Sequence, residues 1–323
     1  MDARAGIRNW AGIRNSVILY GSLLAVLFFT FAGITMTTPF AAGGNATNGS
    51  VITRVNVTNT APNIYEVSID PSPITAAPGN TTTVNCTAKI YDANGWTDIV
   101  RANASFYHIL KGDGSAQDKN YRYRNTSCGA CSSIATNNAS CSCSLVVQYY
   151  ANNGSWRCNM TTADQNGIKD SDNSSNYIVT TTLGIDVPVQ VDYGNLSVSE
   201  TSSLQTVNIT NIGNVPLNVS VLAYGGDSYI NGMNLSMICR DASSINISSI
   251  YQRFSVYSDT TFANMKRMGN ESVNINMTIN QRTDENNPIL GEDRNQTFWL
   301  LQIPLGVTRE CNGTLEFIAT DDS

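Results

Sequence analysis

In residues 81–90, TTTVNCTAKI, apolar and polar positions alternate. Val84, Cys86, Ala88 and Ile90 fall on one face and Asn85 on the other. A period of two is the signature of a half-buried strand, because successive strand side chains point to opposite faces. The same parity recurs in DIVRANASFYH, residues 98–108, which places Val100, Ala102, Ala104 and Phe106 inward and Asn103 outward. In WRCNMT, Trp156, Cys158 and Met160 go in and Asn159 goes out. The second half repeats it: Val207 and Ile209 flank Asn208, Leu217 and Val219 flank Asn218, and Ile275 and Met277 flank Asn276. Turn signals rich in Pro, Gly, Asn and Asp separate these runs at short spacing, and no long helical periodicity follows residue 40. The pattern predicts an all-β chain of short antiparallel strands packed as sandwiches.

One stretch breaks the pattern. Residues 17–36, VILYGSLLAVLFFTFAGITM, are apolar throughout and follow Arg4, Arg8 and Arg14. No further Lys or Arg occurs before Arg54. About 20 apolar residues suffice to cross a bilayer as a helix, whereas the apolar core of a secretory signal is shorter. The positive-inside rule then puts the basic residues 1–16 in the cytoplasm and the rest outside the cell membrane. The expected organisation is a single-pass signal-anchor helix at 17–36, a polar linker at 37–61, one β-sandwich at 62–183 and a second at 184–320.

Composition narrows the chemistry. The 323 residues carry 14% charged side chains and a net charge of −6, which offers no basic surface for nucleic acid. A single histidine, His108, leaves little room for general-base chemistry or a His-rich metal site, and no cofactor is expected. His108, beside Lys111, Asp113 and Asp118, reads as an exposed strand end. Residues 163–173, ADQNGIKDSDN, loosely resemble a calcium-binding repeat but lack its spacing and terminal Glu, and read as a polar hairpin turn. The chain contains 20 Asn-x-Ser/Thr sequons, more than twice the roughly eight expected from random placement. Asn85, Asn103, Asn159, Asn208, Asn218 and Asn276 are the acceptors that fall at outward strand positions, so N-linked glycans are expected there.

Eight cysteines in an exported chain imply disulfides. Between residues 128 and 143 the spacing C-x2-C-x9-C-x-C would also suit zinc, but the compartment and the sequons at Asn125 and Asn138 favour cystines. If this segment is a hairpin, opposed residues share a nearly constant index sum, which selects Cys128 with Cys143 and Cys131 with Cys141. Such a pair of bridges would staple a protruding loop suited to recognition. In the second half only Cys239 and Cys311 remain to pair with each other.

The inward Cys86 in an early strand and Cys158 in a late one resemble the immunoglobulin-like arrangement over about 120 residues. That resemblance implies a Cys86–Cys158 bridge between the two sheets. Trp156 stands where that family carries a tyrosine two residues before the second Cys, so no tyrosine hydroxyl is available for its corner. Further on, TNIGNVPLNVSV and the IPLG of 303–306 resemble β-sandwich domains of archaeal and bacterial surface proteins. Together these features imply a non-enzymatic, membrane-anchored surface glycoprotein with a structural or adhesive role, whose partners would be other surface proteins or glycans. The alternative is an exported carbohydrate- or calcium-dependent binding module, for which Tyr121, Tyr123, Tyr149 and Tyr150 would be the nearest aromatic cluster.

Overall fold

A computed structural model describes residues 50–240, 244–283 and 288–322. The expected anchor at 17–36 lies outside the described residues, among which no helix is long and apolar enough to cross a membrane. From Val57 onward the described chain forms one compact unit. It is all-β and contains two sandwiches.

The first sandwich uses nine strands in chain order: β1 (Asn63–Asp70), β2 (Thr81–Tyr91), β3 (Ile99–His108), β4 (Arg122–Asn125), β5 (Ser132–Ala135), β6 (Asn138–Gln148), β7 (Gly154–Asp164), β8 (Lys169–Asn173) and β9 (Tyr177–Val179). One sheet has the order β1-β2-β6-β5 and the other β4-β3-β7-β8, with β9 continuing β8 along β7. Relabelled by position, these are the A-B-E-D and C′-C-F-G sheets of an immunoglobulin-like sandwich. Val84, Cys86, Ala88 and Ile90 from β2 meet Ala104, Phe106, Trp156, Cys158 and Met160 from the facing sheet in one buried core. Cys86 and Cys158 form a disulfide across it, closing a separation of 72 residues.

The alternation of β3 is interrupted where the sequence pattern runs unbroken. Ile99 opposes Asp164 while Arg101 opposes Ala163, so a bulge holds one extra residue on β3. Parity reverses across a bulge. Ile99 is therefore the buried residue, and Val100, expected inward, is 60% exposed.

The second sandwich comprises β10 (Ile185–Asp186), β11 (Gln205–Asn211), β12 (Leu217–Gly225), β13 (Leu235–Cys239), β14 (Ile247–Ser248), β15 (Gln252–Ser255), β16 (Lys266–Arg267), β17 (Val273–Ile279), β18 (Arg294–Leu301) and β19 (Cys311–Asp321). Its sheets run β10-β11-β18-β15-β16 and β14-β13-β19-β12-β17. Val207, Ile209, Phe254, Trp299 and Leu301 pack against Val219, Val221, Ala223, Ile275 and Ile279. The central pairs β11–β18 and β12–β19 correspond to β2–β6 and β3–β7 of the first sandwich. The flank of β19 differs. It is met by β13, and only at Ile238↔Asn312 and Cys239↔Cys311, where the second inter-strand disulfide sits.

The sandwiches meet through buried amides. Asn214, with no exposed surface, accepts the Thr182 N–H at 2.7 Å and donates to the carbonyls of Thr180 at 2.9 Å and Ala151 at 3.2 Å. Gly79 N–H donates to the Ile212 carbonyl at 2.8 Å. A Cβ on Gly213 would stand 2.3 Å from the Thr182 carbonyl oxygen, so only glycine permits this approach. Asn120 and Gln281 add amide bonds to the Arg282 and Tyr150 carbonyls, and the Arg282 guanidinium lies 5.5 Å from the Tyr150 ring centroid. Tyr149 and Tyr150, named above as part of the nearest aromatic cluster, are both buried. The junction covers what a single sandwich would leave exposed.

Two stability predictions follow from these contacts. Asn214→Ala strands the Thr182 N–H and should cost roughly 1–3 kcal/mol. Calorimetry should then resolve two thermal transitions where the parent shows one. Replacing both Cys86 and Cys158 by Ala should lower the free energy of unfolding by about 4 kcal/mol in chemical denaturation, since the bridge closes a loop of about 70 residues.

Candidate interaction surface

Each of the six outward acceptors stands beside buried neighbours. Asn208 and Asn276 are exposed, and Asn85, Asn103, Asn159 and Asn218 are half-buried. Around them, Cys86, Cys158, Met160, Val207, Ile209, Leu217, Val219 and Ile275 are buried. Asn276 differs from the rest in its backbone, with φ of 55° at an irregularity between β12 and β17. Several of these amides already bond along the sheet surface: Ser144 Oγ donates to Asn85 at 2.7 Å, and Gln296 donates to Asn208 at 2.9 Å.

The cysteine-rich segment departs from the loop expected of it. Cys128 pairs with Cys143 and Cys131 with Cys141. Cys141 and Cys143 face inward on β6 and have no exposed surface, and Cys143 lies directly opposite Cys86. Cys128 N–H donates to the Ala102 carbonyl of β3 at 3.2 Å. The bridges thus draw the β4–β5 connection against the sandwich core. They seal an open side rather than support a projecting loop. Thr126, Ser127, Gly129 and Ala130 of the connection stay exposed, as does every residue of β5.

His108 is buried, not exposed as its sequence context suggests. The Leu110 N–H donates to its Nδ1 at 3.3 Å, so Nε2 carries the proton and donates to the Asn153 carbonyl at 3.1 Å. Trp156 packs edge-on against the imidazole at 5.4 Å. Burial lowers the His108 pKa below its ordinary value, opposed in part by the bond to Asn153. The Trp156 indole N–H donates to the Asn152 carbonyl, four residues back, at 2.8 Å. This occupies the place of the tyrosine-corner bond, with an indole donor in place of a hydroxyl.

The end of the first sandwich carrying the β2–β3 and β7–β8 turns is acidic. Asp92, Asp98 and Asp164 are all buried there. Burial raises the Asp92 pKa, with Asp98 and Asp164 adding to the effect. Burial also disfavours the Asp164 carboxylate, but hydrogen bonds from Asn59, Ile168, Asn166 and Gly167 outweigh it and lower its pKa. In the 163–173 turn, Asp164 accepts the Ile168 N–H and Asp170 accepts the Ile64 N–H, so both serve local structure. Among the described residues no group of three or more His, Cys, Asp and Glu is placed to hold a metal ion. A shallow hollow of about 240 Å³, lined by Asp186, Val187, Asn208 and Arg294 among others, is smaller than an ordinary small-molecule site. Tyr121 and Tyr123 pack around the His108–Trp156 region, and Tyr149 and Tyr150 belong to the junction. The four do not form one exposed aromatic platform.

Sequence reasoning missed the junction amides Asn120, Asn211, Asn214 and Gln281. Asn and Gly in TNIGN signal a turn, and nothing in a one-dimensional pattern marks a turn that another domain will bury.

No family model matches the chain, and no curated protein matches it. Among solved structures, the CsuC–CsuE chaperone–tip adhesion subunit pre-assembly complex of Acinetobacter baumannii Csu pili aligns at 10% identity. It covers 78% of this chain and 99% of that one, with a TM-score of 0.34. A chaperone–tip adhesin complex of CFA/I fimbriae aligns at 10% identity over 82% and 92% of the two chains, with a TM-score of 0.30. The C-terminal domain of the Streptococcus agalactiae AgI/II polypeptide BspA aligns at 9% identity over 78% and 91%, with a TM-score of 0.19. These superpositions are loose, and the fold assignment rests on the strand order and the shared cores instead.

His108 is the only histidine in the chain. Its folded pKa lies below the unfolded value of 6.5, so the unfolded chain takes up the proton first. Stability should therefore be unaffected above about pH 7 and fall as pH drops below about 6.5, measured by urea midpoints from pH 7.5 to 5. Gly154 has φ of 116°, and a Cβ there would meet His108 Nε2 at 2.9 Å. Gly154→Ala should cost roughly 1–3 kcal/mol in the same assay.

Proposed function

We propose that this chain is a non-enzymatic, membrane-anchored surface glycoprotein with a structural or adhesive role. In this reading residues 17–36 hold it in the membrane and the sandwiches stand outside. The observation that supports it most is the cysteine chemistry: every described cysteine is in a disulfide, and six of the eight line one small core. Disulfides of this kind form and persist in oxidising compartments. The outward acceptors Asn85, Asn103, Asn159, Asn208, Asn218 and Asn276 fit the same compartment, because sugar on the opposite face would have to enter the core. Partners would then be neighbouring surface proteins or glycans, met by the broad sheet faces and the exposed β5 hairpin rather than by a pocket.

The test is a non-reducing peptide map, by mass spectrometry, of full-length protein from its native membrane. Expected are peptides from residues 1–42, the Cys86–Cys158 and Cys239–Cys311 linkages, and glycan on the six acceptors. Free cysteines together with bare asparagines would overturn the surface reading. A chain lacking residues 1–36 should leave the membrane fraction; persistence there would remove the anchor assignment.

A further inference from the structure

The two sandwiches differ at one edge. In the first, β7 is flanked along its length, by β3 on one side and by β8 and β9 on the other. In the second, β19 is paired with β12 over its length up to Asp321, but on its other side the described strand pairing, with β13, is confined to Cys311 and Asn312. From Thr314 to Thr320 no described strand lies beside it. That is about 24 Å of strand edge at the usual rise per residue. The core shows the consequence. Val219, Val221 and Ala223 of β12 are buried, while the residues opposite them on β19, Ala319, Phe317 and Leu315, are only half-covered. Val187 and Val191 are further half-covered apolar residues of this core. The edge sequence TLEFIAT, residues 314–320, contains no Lys, no Pro and a single charge, Glu316, so it has few of the usual devices that keep strand edges from pairing.

The chain also contains a strand-forming segment with no sheet. Residues 50–58, SVITRVNVT, are mostly β-branched and belong to no strand. Val51, Ile52, Val55 and Val57 are 80–87% exposed. Just beyond them, Asn59 donates to Asp164 at 2.6 Å and the Thr60 N–H donates to Asn94 at 2.8 Å. Asn94 and Asp164 lie at the C-terminal ends of β2 and β7. The second sandwich attaches near the opposite ends of those same strands, through Gly79 and Asn152.

We propose that residues 50–56 of one copy add as a strand along the Thr314–Thr320 edge of β19 in the next copy, completing its second sandwich. A strand in that place runs antiparallel to β19, like β8 against β7. Opposing Arg54 to Glu316 then sets Val51, Thr53 and Val55 opposite Ala319, Phe317 and Leu315, facing the half-covered core. The small Thr53 meets the bulky Phe317, and Ile52 meets Ile318 on the outer face. Asn56, a sequon acceptor, points outward in this register. Donor and acceptor are different surfaces, so the contact is heterologous, and repetition builds an open head-to-tail chain of copies. The backbone bonds supply affinity and the alternating side chains supply register. This inference rests on the strand pairings and on the exposure of residues 50–58, not on glycosylation or on the anchor.

The experiment compares full-length protein in detergent with Val51→Asp/Val55→Asp. Both side chains are exposed, so the variant keeps its fold and retains the empty edge. Light scattering on gel filtration should show concentration-dependent oligomers for the parent and monomers for the variant. A labelled synthetic peptide of residues 49–60 should bind that variant. Glu316→Arg in the acceptor should weaken peptide binding by about tenfold or more, and an Arg54→Glu peptide should recover it. A parent that stays monomeric at every concentration overturns the proposal, as do oligomers that survive the double variant. Failure of the peptide to bind the arm variant, as when the chain fills its own edge, overturns it too. Peptide binding that is indifferent to the Arg54–Glu316 exchange rejects the register and with it the docking mode stated here.

Discussion

The amide of Asn214 has no exposed surface and uses its carbonyl on the Thr182 N–H and its NH2 on the carbonyls of Thr180 and Ala151. A buried amide left unsatisfied would weigh heavily against folding, whereas one with its bonds made locks the groups around it in place. Here those groups belong to two sandwiches. Asn211, buried beside it, donates to the carbonyls of Val215, Ile279 and Asn280, which ties the same turn to the second sandwich. With Gly79 bonded to Ile212 across the gap, the connection acts as a packed joint rather than a tether. Which surfaces the protein presents, and at which ends, depends on that joint.

The two sandwiches solve the problem of a thin core differently. The first draws four cysteines into its interior and packs two more, Cys128 and Cys131, against its margin, so that sulfur bridges do part of what bulk packing would otherwise do. Covalent closure stabilises chiefly by restricting the unfolded chain, and it tolerates the short, polar β5 hairpin on the outside. The second sandwich relies on Phe254 stacked on Trp299 and on aliphatic side chains, with one bridge at the tip of β13 and β19. Its core is least covered along β19, where the first sandwich carries a flanking strand. A hydrophobic layer that is half-wet along one edge is a place where added surface burial is favourable.

Much was legible in the alternation. The inward faces of β2 and β7, and the outward Asn85, Asn159 and Asn208, follow from a period of two and need no partner to be named. Where the reading failed, the cause was a local event that periodicity does not encode. The bulge at Ile99 and Arg101 turned Val100 outward. His108 was drawn inward because its ring finds both a donor and an acceptor on the backbone, and Trp156 covers it. Residues 37–61 read as a polar linker on average composition; within them SVITRVNVT sets Val51, Thr53, Val55 and Val57 on one face and Ile52, Arg54 and Asn56 on the other.

By itself, then, the sequence determined the all-β class, the faces of most strands, and the presence of cysteines in numbers that suit export, because these depend on side-chain order and residue type alone. The tertiary structure decided which strands are neighbours, that Cys141 and Cys143 lie inside the core, that buried amides join the two sandwiches, and that β19 has a full-length described strand on one side only. Those facts arise from contacts between residues far apart in the chain. Pairing energy, amide satisfaction and edge exposure are properties of the assembled sheets, and no local pattern carries them.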